Sequence, residues 1–173
     1  MGLTFYKLCL DYQEKIVPGD SAEATVCRLA EEKAEVGWKH KHRQLNLPVL
    51  GADTLVKHSG KMLGKPENLS QAKEILRLLS GSKHEVVSAI CMIQDDKKIS
   101  MLSSSTVFFR EISGLEIEHY WASGEPADKA GAYAIQGVGA VFIKKIEGSY
   151  SGVMGLPIYE TGQLLKKFNI EIL

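Results

Sequence analysis

A mixed α/β fold, with a mixed sheet flanked by helices, is what the sequence predicts, and three observations predict it. Runs of β character (Leu47–Leu50 with Leu55-Val56, Glu85–Gln94, Met101–Arg110) alternate with stretches of helical period such as Ala72, Ile75, Leu76 and Leu79. Capping-box spacings stand before two of the helical stretches. Hairpin turns are interleaved with helices, which argues against a purely doubly wound sheet. At 173 residues, 45% apolar and 24% charged, the chain reads as one globular domain spanning 1–173, or one domain with a small lobe.

In chain order, Phe5–Leu10 predicts a short strand, Asp11–Lys15 a polar loop and Pro18-Gly19 a turn. Asp20-Ser21-Ala22-Glu23 has capping-box spacing and opens a helix to about Val36. Val26, Leu29 and Ala30 form its inner face, and Lys33 falls on the same line. A lysine there either snorkels outward or aims its ammonium at an anion. Lys39–Arg43 is a basic helix end and loop, with no aromatic ladder beside it to suggest nucleic acid. The next apolar run predicts a buried strand ending in Gly51-Ala52-Asp53-Thr54, followed by a hairpin through Ser59-Gly60. Gly51 and Ala52 are small enough for another backbone, or a phosphate, to come close.

Ser70 is the expected cap of a second helix, and Gly81 its left-handed stop. Glu85–Gln94 and Met101–Arg110 form a hairpin about a turn at Asp95–Lys98. Ser113-Gly114-Leu115-Glu116 opens a helix to about Ala122, offering Leu115, Ile117 and Tyr120 for packing, and Gly124 ends it. Gly124–Gly137 is rich in glycine and charge yet carries Tyr133 and Ile135, so it reads as a rigid, partly buried ligand-contacting loop. Ala140–Ile143 predicts a short strand and Gly148–Gly155 a second loop. Pro157 suits the first turn of a last helix whose apolar side is Ile158, Leu164, Leu165 and Phe168.

Lys plus Arg equals Asp plus Glu at 21 each, so no bulk field favours nucleic acid or a membrane, and neither is an expected partner. Cys9, Cys27 and Cys91 are odd in number, widely spaced and without a CxxC, which points to reduced thiols in the cytoplasm. No apolar run approaches the length of a membrane span. The five histidines have no metal-ligand spacing, and His84 and His119 read as surface or half-buried residues. Asp53 at a strand end needs a cation or donors to offset its burial, and Lys65 in Gly64-Lys65-Pro66 could supply the cation. The same spacing equally suits an aspartate that caps a turn. Glu14, Lys33, Asp53, Lys65, Asp128, Lys129 and Gln136 together suit a polyphosphate ester held with a divalent metal, Gln136 being able to read a base edge.

Six stretches carry a resemblance: RLAEEKA (Arg28–Ala34), LGADTLV (Leu50–Val56), LGKP (Leu63–Pro66), LRLLSGSKHEV (Leu76–Val86), ASGEPADKAGAYAIQG (Ala122–Gly137) and EGSYSGVMGLPIYET (Glu147–Thr161). In order and spacing they resemble the Maf family of nucleoside triphosphate pyrophosphatases, over essentially the whole chain. The resemblance implies a mixed sheet with helices around a deep cleft, Mg²⁺ or Mn²⁺, and frequently a homodimer. It implies hydrolysis of a nucleoside triphosphate to the monophosphate and pyrophosphate. By motif, Asp53 matches the proton acceptor and a metal ligand. Glu14 matches a second metal carboxylate, although Tyr12-Gln13-Glu14 departs from the family's Asp-rich loop. Lys33 and Lys65 match phosphate-facing lysines, and Thr54 and Gln136 match positions tied to base choice.

GADT together with AYAIQG resembles the branch acting on dTTP and UTP, some members of which accept modified pyrimidine nucleotides. The branch acting on 7-methyl-GTP tends to differ after the Asp and in the loop. Family members open with a strand and a Ser-x-Ser-Pro-Arg-Arg loop, whereas Met1–Phe5 here aligns beyond them, so the expectation is an N-terminally truncated chain of reduced activity. Two alternatives stand beside the hydrolase: a catalytically weak nucleotide-binding protein in division control, and a pyrophosphatase for a methylated base.

Overall fold

The computed structural model describes residues 2–43 and 47–172. The helices are α1 (Ala22–Trp38), α2 (Leu69–Leu79), α3 (Gly114–Ala122), α4 (Tyr150–Val153) and α5 (Ile158–Lys167). The strands are β1 (Val49–His58), β2 (Lys61–Leu63), β3 (Lys83–Gln94), β4 (Lys97–Phe109) and β5 (Ile143–Glu147), joined in the order β2-β1-β3-β4-β5. The α/β class expected from the sequence is the one observed, with β2 antiparallel to β1 and β5 antiparallel to β4.

Local chemistry sets where α1 to α4 begin. Ser21, Asn68, Ser113 and Ser149 each accept a backbone N–H of the first turn, offsetting donors the helix itself cannot satisfy. At α3 the expected capping box forms, with Ser113 and Glu116 exchanging bonds. Two expected caps are displaced by one or two residues. Ser21 caps α1 in place of Asp20, which lies 3.6 Å from Arg28 instead, and Asn68 caps α2 in place of Ser70. Adjacent residues that cap equally well cannot be ranked by spacing alone.

Further expectations are corrected. Phe5–Leu10 forms no strand, and Phe5 and Tyr6 are exposed, because a β-prone run becomes a strand only where a neighbour completes its ladder. Gly51–Thr54 lies inside β1, so Asp53 projects from mid-strand and not from a strand end. The β3–β4 hairpin closes on Asp95-Asp96 alone, with Asp95 at φ +52°, and β4 therefore starts earlier than expected. Val138–Phe142 is a helical turn and the strand follows it as β5, while Gly148–Gly155 contains α4. Leu115 and Ile158 remain exposed.

The chain divides into two compact units, the first formed by residues up to Asp53, Ser88–Ser103 and the stretch from Gly155, the second by Thr54–Val87 and Ser104–Met154. In the first, Leu164 and Leu165 of α5, with Phe168 just after it, pack with Ile90 and Met92 of β3. There too, α1 lies directly on β1: a Cβ at Gly51 would stand 2.4 Å from the Ala30 carbonyl oxygen and 2.6 Å from the Ala34 nitrogen. In the second, Leu76 and Leu79 of α2, Ile117 and Tyr120 of α3, and Phe109 and Val107 of β4 share a core with Tyr133, Ile135 and Phe142. His84 is buried in this core, contrary to the surface or half-buried setting expected for it, edge-on to Phe109 and Tyr133 and 2.8 Å from the Tyr133 hydroxyl.

Two outcomes follow from this packing. Gly51→Val should cost about 2 kcal/mol, because backbone atoms on both elements would have to separate, and a urea titration will measure it. Burial depresses the His84 pKa to about 4, with His58 adding to the effect. As pH falls from about 6.5 towards 4, the unfolded chain therefore takes up a proton that the folded chain refuses, and stability is lost. In His84→Gln that part of the acid limb should flatten, as thermal melts across pH 4–7 will reveal.

Candidate functional site

Ala30, Lys33 and Ala34 lie on one face of α1, at the helical spacings that stack side chains. Gly51 and Asp53 point to one face of β1 because strand side chains alternate. Contact between Gly51 and Ala30/Ala34 therefore brings Lys33 and Asp53 face to face. The Lys33 ammonium lies 2.6 Å from Asp53 Oδ1 and 2.6 Å from Glu14 Oε1. The Asp53 side chain is 6% exposed, that of Lys33 22% and that of Glu14 47%, so the ammonium bridges a buried carboxylate and a solvent-facing one. Of the two orientations open to Lys33 in the sequence, the structure takes the inward one. Desolvation on its own would lower the Lys33 pKa, but hydrogen bonds and charge from Asp53 and Glu14 outweigh it and hold the pKa above the usual lysine value.

Glu14 comes from a segment without regular structure, and α1 pins that segment in place. Tyr12 donates its hydroxyl hydrogen bond to Glu32, while Arg28 reaches Glu32 at 3.2 Å and the Lys15 carbonyl at 2.9 Å. Sequence reading singled out none of these three for the site. The signal available was the i,i+4 spacing of Arg28 and Glu32 on α1.

Among the described residues no group of three or more His, Cys, Asp and Glu is placed to hold a metal without help. The donor set nevertheless fits a hard divalent cation. Glu14 and Asp53 converge on a single positive charge, and one or two carboxylates are what Mg²⁺ commonly takes from a protein when phosphate oxygens and water complete its shell.

Thr54, Lys65 and Gln136 belong to the second unit. Thr54 is half-buried in β1, and Lys65 is exposed after β2. Gly64, next to Lys65, accepts a backbone bond from Gly131 N at 3.0 Å, which ties the Lys65 segment to the glycine-rich loop. Within that loop Asp128 is exposed and Lys129 half-buried, while Tyr133, Ala134 and Ile135 are buried and Gln136 is exposed at the following turn. Tyr120 OH donates to Glu125 at 2.6 Å and accepts from Ala134 N at 3.0 Å. Glu125 also accepts from Val138 N at 2.9 Å and Gly139 N at 3.0 Å. Burial would raise the Glu125 pKa, but these donors outweigh it and hold the pKa below the ordinary carboxylate value. Neither Tyr120 nor Glu125 was a sequence candidate. The clue was a charged residue inside a stretch that buries aromatics.

Comparison with known proteins bears on the same segments. The sequence profile of the family described as "Maf-like protein" matches residues 1–168. A protein named dTTP/UTP pyrophosphatase from Pseudoalteromonas atlantica is 45% identical over 171 residues, covering 98% of this chain and 89% of the relative. Relatives of the same name from Chromobacterium violaceum and Nitrosomonas europaea are 44% and 49% identical, covering 99% and 94% of this chain and 88% and 79% of their own. No described helix is long and apolar enough to cross a membrane.

Removing the ammonium should expose the cost of the carboxylates it serves. Lys33→Met should lose about 3 kcal/mol, the lower end for breaking a buried pair because Lys33 is partly exposed, as read by denaturant titration at pH 7. Since the Lys33 pKa is raised on folding, the pair's contribution is full below the ordinary lysine value of 10.5 and is lost as pH climbs above it. The wild-type alkaline limb should accordingly be the steeper of the two.

Proposed function

The chain belongs to the Maf family, and from that membership we propose that it hydrolyses nucleoside triphosphates, dTTP and UTP above others, to the monophosphate and pyrophosphate. The observation that carries this reading is the buried Asp53 carboxylate held at 2.6 Å by an ammonium that also holds Glu14. Asp53 accepts the proton of a water whose oxygen bonds to the α-phosphorus. The bond from that phosphorus to the bridging oxygen breaks, pyrophosphate leaves, and the proton passes on to solvent. Lys33 sets its positive charge against the nearly buried Asp53 carboxylate and offsets the cost of placing a negative charge there. An arriving triphosphate competes for the same ammonium and loosens its hold on the carboxylate, which frees an oxygen to accept the proton.

Lys65 is assigned to the phosphates, and Thr54 and Gln136 to the base; motif correspondence and the exposure of Lys65 and Gln136 support these roles. A divalent cation, Mg²⁺ or Mn²⁺, would be held by Glu14 and Asp53 with the phosphates. When bound it offsets phosphate charge and makes the phosphorus more electrophilic. A homodimer is part of the proposal on the strength of the resemblance alone. The cytoplasm is proposed because Cys9, Cys27 and Cys91 are free thiols.

Pyrophosphate release from dTTP with Mg²⁺ tests the reading. Asp53→Asn should lower kcat by about a hundredfold or more with substrate binding retained, and turnover equal to wild type would remove Asp53 as the base.

A further inference from the structure

We propose that Glu125 is a positioning residue that sets base selectivity by holding the turn that carries Gln136. The proposal rests on the reading of Gln136 as a base-contacting side chain. Gln136 sits on a solvent-facing turn, where an unsupported backbone would let its amide swing through several orientations. The turn is instead fastened on both sides. Before it, Ala134 N donates to Tyr120 OH at 3.0 Å, and beyond it Val138 N and Gly139 N donate to the two oxygens of Glu125 at 2.9 and 3.0 Å. The fastenings are one unit, because Tyr120 OH donates to Glu125 at 2.6 Å while it accepts from Ala134.

Two glycines make room for the clamp. A Cβ at Gly137 would lie 2.1 Å from a Glu125 carboxylate oxygen, and one at Gly139 would lie 2.5 Å from Tyr120 OH. Inner residues anchor the assembly: Tyr120 packs edge-on to Phe142, and Tyr133 packs edge-on to Phe109 and bonds to His84. An ionised carboxylate accepting two backbone N–H groups and a phenol is stronger than the neutral contacts a loop of this length usually has. Such a clamp holds the backbone on either side of Gln136, and so the point from which its side chain extends. That gives the specificity of a site built to hydrogen-bond one base edge and to leave its polar groups unpaired against another.

The test compares wild type, Glu125→Ala, Tyr120→Phe, Gln136→Ala and the Glu125→Ala/Gln136→Ala double variant. It measures kcat/KM for dTTP and for CTP, together with amide exchange of the nucleotide-free proteins. Glu125→Ala should lower the dTTP preference about tenfold, mostly through KM, and Tyr120→Phe, which keeps the ring packing, should move it in the same direction. On the Gln136→Ala background the same Glu125 change should move the preference less than about twofold, since the residue it positions is gone. Exchange at Val138 and Gly139 should speed up about tenfold in Glu125→Ala whatever the substrate. Unaltered preference in both Glu125→Ala and Tyr120→Phe overturns the proposal, as does an effect that persists undiminished without Gln136. If Glu125→Ala does not fold, Tyr120→Phe decides alone. A wild type indifferent between dTTP and CTP, or a Gln136→Ala variant as selective as wild type, overturns the base-reading assignment itself and this proposal with it. Accelerated exchange in that case still identifies the clamp as structural only.

Discussion

The ion pair between Lys33 and Asp53 depends on how closely α1 approaches β1, and that approach depends on Gly51. Any side chain at residue 51 would meet the backbone of Ala30 and Ala34. With none there, helix and strand come into contact, and the side chains one step further along each element, Lys33 and Asp53, meet at 2.6 Å. A carboxylate that is 6% exposed is costly to hold there, and the ammonium 2.6 Å away offsets that cost. The close approach of two backbones therefore precedes the electrostatics, and the electrostatics precede any chemistry Asp53 performs.

Glu14 adds a second feature. Its segment has no helix or strand of its own, so its position is borrowed from α1 through Arg28, Glu32 and Tyr12. The outer face of α1 is occupied in holding this segment while its inner face presents Lys33. One helix thus supplies the ammonium and fixes the position of the second carboxylate, the more exposed of the two.

The glycine-rich loop of the second unit obeys a different rule. There the organising group is a carboxylate that accepts from backbone N–H groups and a phenol. The loop buries Tyr133 and Ile135 and leaves Gln136 outside, while its backbone N–H groups at Gly131 and Ala134 find partners in Gly64 and Tyr120. In a segment without long helices or strands, such bonds are what hold the backbone in place. A loop that reads a ligand needs that rigidity if its contacts are to discriminate.

Much of the molecule was legible in the sequence. The Ser113–Glu116 box, the α2 stripe of Ala72, Leu76 and Leu79, the Ser59-Gly60 turn and the β3–β4 hairpin follow from propensity and period, which act over a few residues. The motifs around Asp53, Lys65 and Gln136 identified the Maf family. Longer-range facts were not legible. Phe5–Leu10 has the composition of a strand but finds no ladder, and His84 lies in a core whose other walls come from distant residues. The sequence could name Lys33 as a residue with two possible orientations. Only the contact of Gly51 with Ala30 and Ala34 chose between them, because the energy of a buried charge depends on what lies within a few ångströms of it, and residues 20 positions apart become neighbours only in the folded chain.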